Sequence, residues 1–329
     1  MLPLLLLLQT TASPRLTEFL QRSIGFDAQQ LAAVERGEPV VKVLETQDRR
    51  DVAVFGIITT PVGREQYVRA LRDFATSLRT PGRTQLGIFS NPAIESDVAA
   101  VTINSRDVAD MKSCKPGDCV VKLPATEMHR IHDEMNWSAS PSDLQSQLSA
   151  YARRRLVEYV TNYRRRGDSA LAIYDDRDNL NQRSSEAFAT QLAESPYVYQ
   201  NVPSLRSYFT TYPHGSLPAG AAEILFWSED VMPRLRPILS VTHLIVYTPP
   251  ELPTVTLAAR KQIYANHYFE TAVDLTCVID RNPGSYLLVL RRYRFDNLPG
   301  GILNIRGRAI GALRDQLALD LRRQQTTGQ

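Results

Sequence analysis

The last third of the chain constrains the fold most. Four long β-rich runs lie between Glu223 and Phe295: Glu223 to Ser228, Ile238 to Tyr247, Thr256 to Ile279 and Tyr286 to Phe295. Their β-branched and aromatic content marks them as strands. Asn282-Pro283-Gly284-Ser285 makes a turn between the last two, and the proline-rich stretch Thr248 to Pro253 a loop between strands. Directly behind them Ile310, Leu313, Leu317 and Leu321 recur at helical spacing, so Ile305 to Arg323 reads as an amphipathic helix. With 329 residues, 43% hydrophobic and 22% charged, the composition is that of a globular protein. The length suits two domains or one large α+β domain.

The first half alternates between the two periods. Leu16, Phe19, Leu20 and Ile24 predict a helix over Pro14 to Ile24, ended by Gly25. Asp27 with Gln30 resembles a capping box opening a short helix that Gly37 stops. Pro39 to Leu44 and Asp51 to Thr59 read as strands. Tyr67, Leu71, Phe74 and Leu78 then place a helix over Gly63 to Leu78. Thr84 to Phe89, Asp97 to Ile103 and Val120 to Leu123 are strand candidates. Short helices are expected after Ser105 and across His129 to Met135. Ser140-Pro141-Ser142-Asp143 is a strong helix start, with serine as N-cap and proline at the first position. That helix runs to Arg166, where Gly167 ends it. Ser184 to Glu194 and Pro203 to Tyr212 complete a mainly helical region, with an aromatic and proline-rich connection between them.

The N-terminus and the cysteines bear on compartment. The leucine run Leu4 to Leu8 is far too short to span a bilayer. It suits the apolar core of a secretory signal peptide, and Thr10-Thr11-Ala12 offers a small-residue cleavage site, although a basic n-region is missing. Residues 1–13 are therefore expected to be a signal peptide, and the mature protein to be periplasmic or extracellular. Cys114 and Cys119 bracket Lys115-Pro116-Gly117-Asp118, whose Pro-Gly pair fits a type II turn. Such a turn brings its flanks within disulfide reach. A zinc site would need a second cysteine pair, and a redox motif two intervening residues rather than four. Cys277 sits alone in an apolar strand pattern and is expected to be a buried, inert thiol.

Candidate chemistry is sparse. His129 and His132 stand at i, i+3 beside Asp133 and Glu134. A hydrolytic zinc helix needs i, i+4 histidines with a glutamate between, so an exposed polar helix face is the expectation. His243 alternates with Val241, Ile245 and Tyr247, and His267 with Ile263, Ala265, Phe269 and Val273. Both are expected among apolar neighbours, where a histidine serves as a polar handle, a general base or a hydrogen-bonded core residue. They are the candidate ligand-binding residues. The opposite face, Tyr264, Asn266, Tyr268, Glu270 and Asp274, is expected to be solvated, as is the pair Asp175-Asp176. Arg291, Arg292 and Arg294 interleave with Tyr293 and Phe295, a pattern that can bind single strands. The net charge is only +3, which argues against nucleic-acid binding. Nucleotide-binding and nucleophile-elbow fingerprints are absent, and neither a metal nor a cofactor is expected. The strong preference for arginine over lysine reads as GC-rich coding.

The order of elements resembles the START-like, or helix-grip, superfamily. A β-rich run ends in Thr59-Thr60-Pro61, a helix follows at once with Tyr67, Leu71, Asp73 and Phe74, and antiparallel strands then lead to a terminal amphipathic helix. The likeness covers about 39–80 and 220–323. It implies an α+β fold in which a curved antiparallel sheet packs on the long C-terminal helix, with a cavity between them for a hydrophobic ligand. The expected organisation is one domain over 14–323. Its sheet segments fall at about 39–123 and 220–296, with a mainly helical insertion at about 126–219. The resemblance includes lipid carriers, polyketide cyclases and aromatase-like enzymes, and carries no shared catalytic motif. The expected function is an exported protein that binds an apolar small molecule or lipid without catalysis. The alternatives are a cyclase- or hydrolase-like enzyme with a strand histidine as base, and a structural or interaction protein of the cell envelope. No transmembrane span is expected, and no protein partner is indicated.

Overall fold

The computed structural model of the protein describes residues 14–177, 182–217, 219–232, 235–296 and 305–326. The leucine run lies outside them. The architecture is α+β. Strands β1 (Val40–Leu44), β2 (Asp51–Thr60), β3 (Arg83–Ile88), β6 (Ala222–Asp230), β7 (Ile238–Tyr247), β8 (Val255–Ala265), β9 (Phe269–Asp280) and β10 (Ser285–Phe295) form one curved sheet. Their order is β1-β2-β10-β9-β8-β7-β6-β3, and every neighbouring pair is antiparallel. The sheet is unclosed, with β1 and β3 at its edges. Two-residue strands β4 (Ile173–Tyr174) and β5 (Gln182–Arg183) make a separate small ladder.

The long run Thr256 to Ile279 is two strands rather than one. The chain folds back at Asn266–Tyr268, where Tyr268 takes a left-handed φ of 64°. A bulky side chain rarely adopts that conformation, and neither glycine nor proline marks the spot; Asn266 is the single turn-favouring residue there. The turn Asn282 to Ser285 behaves as its sequence predicts, with Gly284 at φ 87°.

Helices cover both faces of the sheet. On one face lie α3 (Arg64–Arg72), α4 (Phe74–Ser77) and the long C-terminal helix α11 (Ile305–Thr326). Leu317 and Leu321 of α11 pack on Val54, Ile58, Leu287 and Val289, while Leu71, Phe74 and Leu78 pack on Phe226, Leu244 and Val246. The predicted single helix Gly63 to Leu78 is interrupted at Asp73, whose φ and ψ of −76° and 76° leave the helical region.

The opposite face is covered by α1 (Pro14–Glu18), a π-helical turn (Phe19–Ile24), α2 (Ala28–Glu35), α7 (Pro141–Arg166), α8 (Ser184–Ala193) and α10 (Pro203–Thr211). Here alternation sends Phe55, Ile57, Ile245, Leu257, Leu275 and Leu288 into a core shared with Leu20, Phe188 and Phe209. The local signals hold. Asp27 and Gln30 form both halves of the capping box, and Ser140 Oγ accepts from Asp143 N–H at 3.2 Å to open α7.

Between β3 and β6 the chain also forms α5 (Ser105–Met111), α6 (Ala125–Glu134) and α9 (Pro196–Asn201). The last occupies the expected aromatic connection. Asn104, not Ser105, caps α5 by accepting from Asp107 N–H. Two predicted strands are not formed. Asp97 Oδ2 accepts from Ser90 N–H and Ile94 N–H, which curls the chain into a short 3-10 turn at Glu95–Val98. Val120 to Leu123 bends at its first two residues and joins no ladder. Lys122 N–H instead donates to Asn266 O at the β8–β9 turn. Among the described residues no helix is long and apolar enough to cross a membrane.

Candidate functional site

The space between sheet and helix is closed where α11 crosses β2. A Cβ placed on Gly56 would stand 2.7 Å from Leu321 Cδ1 and 3.0 Å from Leu317 Cδ2, so the helix lies directly on the backbone. A cavity of about 480 Å³ opens on the other face of the sheet, under the inserted helices. Its helical wall is Leu148, Ala152 and Leu156 of α7 with Ile131 of α6. Leu239 of β7, Tyr264 of β8 and Asn266 form its floor, and Leu171 to Ile173 with Val121 and Leu123 close its sides. Most of this lining is apolar, as in pockets that take small molecules. Thr126 and Ile173 reach solvent at the rim.

The polar lining groups are largely committed to one another. Arg155 clamps Glu127 with two charge-assisted bonds, Nε to Oε2 at 2.8 Å and Nη2 to Oε1 at 2.6 Å. Tyr151 donates its hydroxyl to Glu127 Oε2 at 2.7 Å. Tyr159 donates to Ile263 O at 2.6 Å and accepts from Ala172 N–H. Asp175 accepts from Ala125 N–H at the start of α6.

His267 sits in the β8–β9 turn behind the floor rather than in a strand. Its Nδ1 lies 3.1 Å from Val120 O and its Nε2 3.0 Å from Asp107 Oδ2. Burial works against the Asp107 carboxylate, but His267, Arg236 and Asn104 together hold it below its ordinary range. The imidazole therefore pins the 120–124 wall and α5 to the sheet. It is not among the residues that line the cavity.

His243 belongs to a different cluster, beneath α7 and α10. It is fully buried, and its hydrogen bonds fix one consistent proton arrangement. Tyr208 donates to Glu223 Oε2 at 2.7 Å, so the Tyr208 oxygen accepts from His243 Nε2 at 3.1 Å. Nδ1 is then the acceptor for the Tyr163 hydroxyl at 3.0 Å. A neutral imidazole satisfies every partner, and burial lowers the pKa of His243 against the pull of Glu223. Cross-strand from it stands Lys261, also fully buried. Its ammonium pairs with Asp168 and lies 3.6 Å over the Phe188 ring. Burial brings its pKa down to about 8, with Asp168 opposing. The two histidines are thus not brought together, and the apolar alternation that singled them out does not distinguish a ligand contact from a satisfied core group.

The remaining candidates fall into place individually. Cys114 and Cys119 form a disulfide with Cα atoms 4.6 Å apart. The intervening turn has Gly117 at φ 85° and docks through Gly117 N–H on Asp175 O and Cys119 N–H on Asp176 O. Cys277 is half-buried, and burial pushes its thiol up to about 12. His129 and His132 are exposed, and no group of three potential metal ligands occurs among the described residues. The face expected to be solvated is so only in part: Tyr264, Tyr268 and Asp274 are half-buried. Asn266 and Glu270 are buried, and Glu270 pairs with Arg50 and Arg294. Asp176 is buried 3.9 Å from Lys122. The arginines of β10 serve these internal pairs, Arg291 with Asp274 and Asp320 and Arg292 with Glu194.

The cavity-lining residues Tyr264, Asn266, Glu127 and Arg155 were not singled out by the sequence as a group. They come from three separate segments, and only the fold joins them. No family model matches the chain, and no curated protein or solved structure matches it either.

Proposed function

We propose that the protein is an exported binding protein that holds an apolar small molecule or lipid between the inserted helices α6 and α7 and the sheet, without catalysis. The observation that carries this reading is the 480 Å³ cavity with its largely apolar lining. A water-filled cavity of this composition exposes apolar surface that an apolar ligand would remove from water, at roughly 25 cal/mol per Å². The disulfide supports an oxidising compartment. Support for a helix-grip relationship comes from the order β2, α3, α4, further strands and α11, with those helices on one face. In this proposal the ligand lies on the other face, against the insertion. The enzyme alternative is weakened because both imidazoles are committed to protein partners.

Mass spectrometry of organic extracts from protein purified without detergent tests the reading. A stoichiometric apolar compound is expected, and Ala152→Phe, which fills the helical wall, should abolish its retention while leaving the fold intact. Equal retention by the filled variant would show that the compound lies elsewhere.

A further inference from the structure

The inner end of the cavity differs chemically from its mouth. Next to the exposed Thr126, the single arginine among the described lining residues, Arg155, is paired with Glu127, and Asp175 adds a second carboxylate to the lining. The lining therefore carries two acids against one base and offers no spare cation to an anionic headgroup. At the floor the situation is reversed. Asn266 is 5% exposed. Its Oδ1 accepts from Leu239 N–H at 2.8 Å, which fixes the orientation of the amide, and its Nδ2 has no partner among the described residues. Beside it Tyr264 contacts the rings of Tyr159 and Tyr174, while its hydroxyl likewise lacks a hydrogen-bond partner there. Two donors thus stand unused in an otherwise apolar floor. Neither atom is sealed from solvent, so both are open to a group that enters the cavity, and a ligand that displaces water there without replacing its hydrogen bonds loses affinity.

We infer that the cavity selects a neutral ligand whose inner end carries a hydrogen-bond-accepting oxygen, such as a ketone, ester or lactone, received by Asn266 Nδ2 and the Tyr264 hydroxyl. The inference rests on the carrier reading and adds the polarity of the ligand to it. A free fatty acid is disfavoured, because its carboxylate would enter a lining with net negative charge. A pure hydrocarbon would leave both donors unsatisfied.

Displacement of the neutral dye N-phenylnaphthylamine from the full chain at pH 8 distinguishes these cases. The competitors are decane, methyl octyl ketone and decanoate. The ketone should displace the dye at about five- to tenfold lower concentration than decane, as one or two neutral hydrogen bonds would give. Decanoate should be the weaker of the two oxygenated probes. Tyr264→Phe should shrink the ketone preference. So should Asn266→Asp, which keeps the acceptor for Leu239 N–H but exchanges the donor for an anion. Equal midpoints for ketone and decane, or a preference that survives both substitutions, would overturn the inference and leave the carrier reading standing. Failure of the dye and of all three competitors to bind would overturn both.

Discussion

Lys261 is the residue whose placement is least expected from its type. Its ammonium is fully buried beside the Phe188 ring, with Asp168 as its ionic partner. The lysine is charged in the unfolded chain up to its ordinary value of 10.5, whereas in the folded protein it gives up its proton above about 8. Between those values the unfolded state binds more protons, so stability rises with pH across that window. Below about pH 8 the full cost of burying the charge is present, roughly 3 kcal/mol at about 1.4 kcal/mol per pH unit. Lys261→Met removes that cost, and Asp168, about one-third exposed, keeps its access to water. Urea unfolding at pH 7 should show Lys261→Met to be at least as stable as the parent. The parent should gain on the variant between pH 8 and 10.5. A variant that loses more than about 1 kcal/mol at pH 7 would show instead that the ion pair is net stabilising. His243 illustrates the same limit of a one-dimensional reading. Its alternation with Val241 and Ile245 placed it correctly on the apolar face, but the partners Tyr163 and Tyr208 come from helices 80 and 35 residues away.

Among the elements, the best-read are those whose signal is local. The helix start at Ser140, the capping box at Asp27 and the turns at Gly117 and Gly284 all follow from side-chain capping or from φ preferences written into adjacent residues. The failures are elements decided by remote partners. Val120 to Leu123 has strand composition, yet it becomes a cavity wall because Asn266 and His267 take its backbone groups. The disulfide turn braces this wall, since its Gly117 and Cys119 amides dock on 175–176. Replacing both Cys114 and Cys119 by serine removes a small closed ring, worth roughly 2 kcal/mol in the chain-entropy picture. A fall of about that size in the unfolding free energy, read from a lower urea midpoint at unchanged slope, is expected. Hydrogen exchange should rise first at the amides of Gly117 and Cys119, and uniform exchange across the chain would contradict a local bracing role.

For the molecule as a whole, the governing contact is that of α11 with the sheet. Gly56 allows it, because a side chain there would meet Leu317 and Leu321. Gly56→Ala should therefore destabilise by about 1–3 kcal/mol through overpacking. Gly311→Ala, on the same helix with open space around it, should stabilise by about 0.5–1 kcal/mol, since glycine weakens a helix interior. Thermal melts of the two variants should thus move in opposite directions. Parallel shifts would mean that α11 does not rest on the backbone of β2.

The α+β class, most of the helices and strands, the terminal helix and the cysteine pairing are legible in the amino-acid order. Each of these depends on spacing between near neighbours, through a helical or strand period, a cap or a turn. Tertiary structure alone decided that β8 and β9 fold at Tyr268, that β2 and β10 meet across more than 200 residues, and that the cavity opens beneath α7 rather than beneath α11. It also decided that Asn266 and Tyr264 stand at the cavity floor, while His243 and His267 are satisfied elsewhere. These outcomes rest on which distant groups meet after the sheet has closed its ladders. A sequence pattern specifies which face a side chain takes, but not what arrives opposite it.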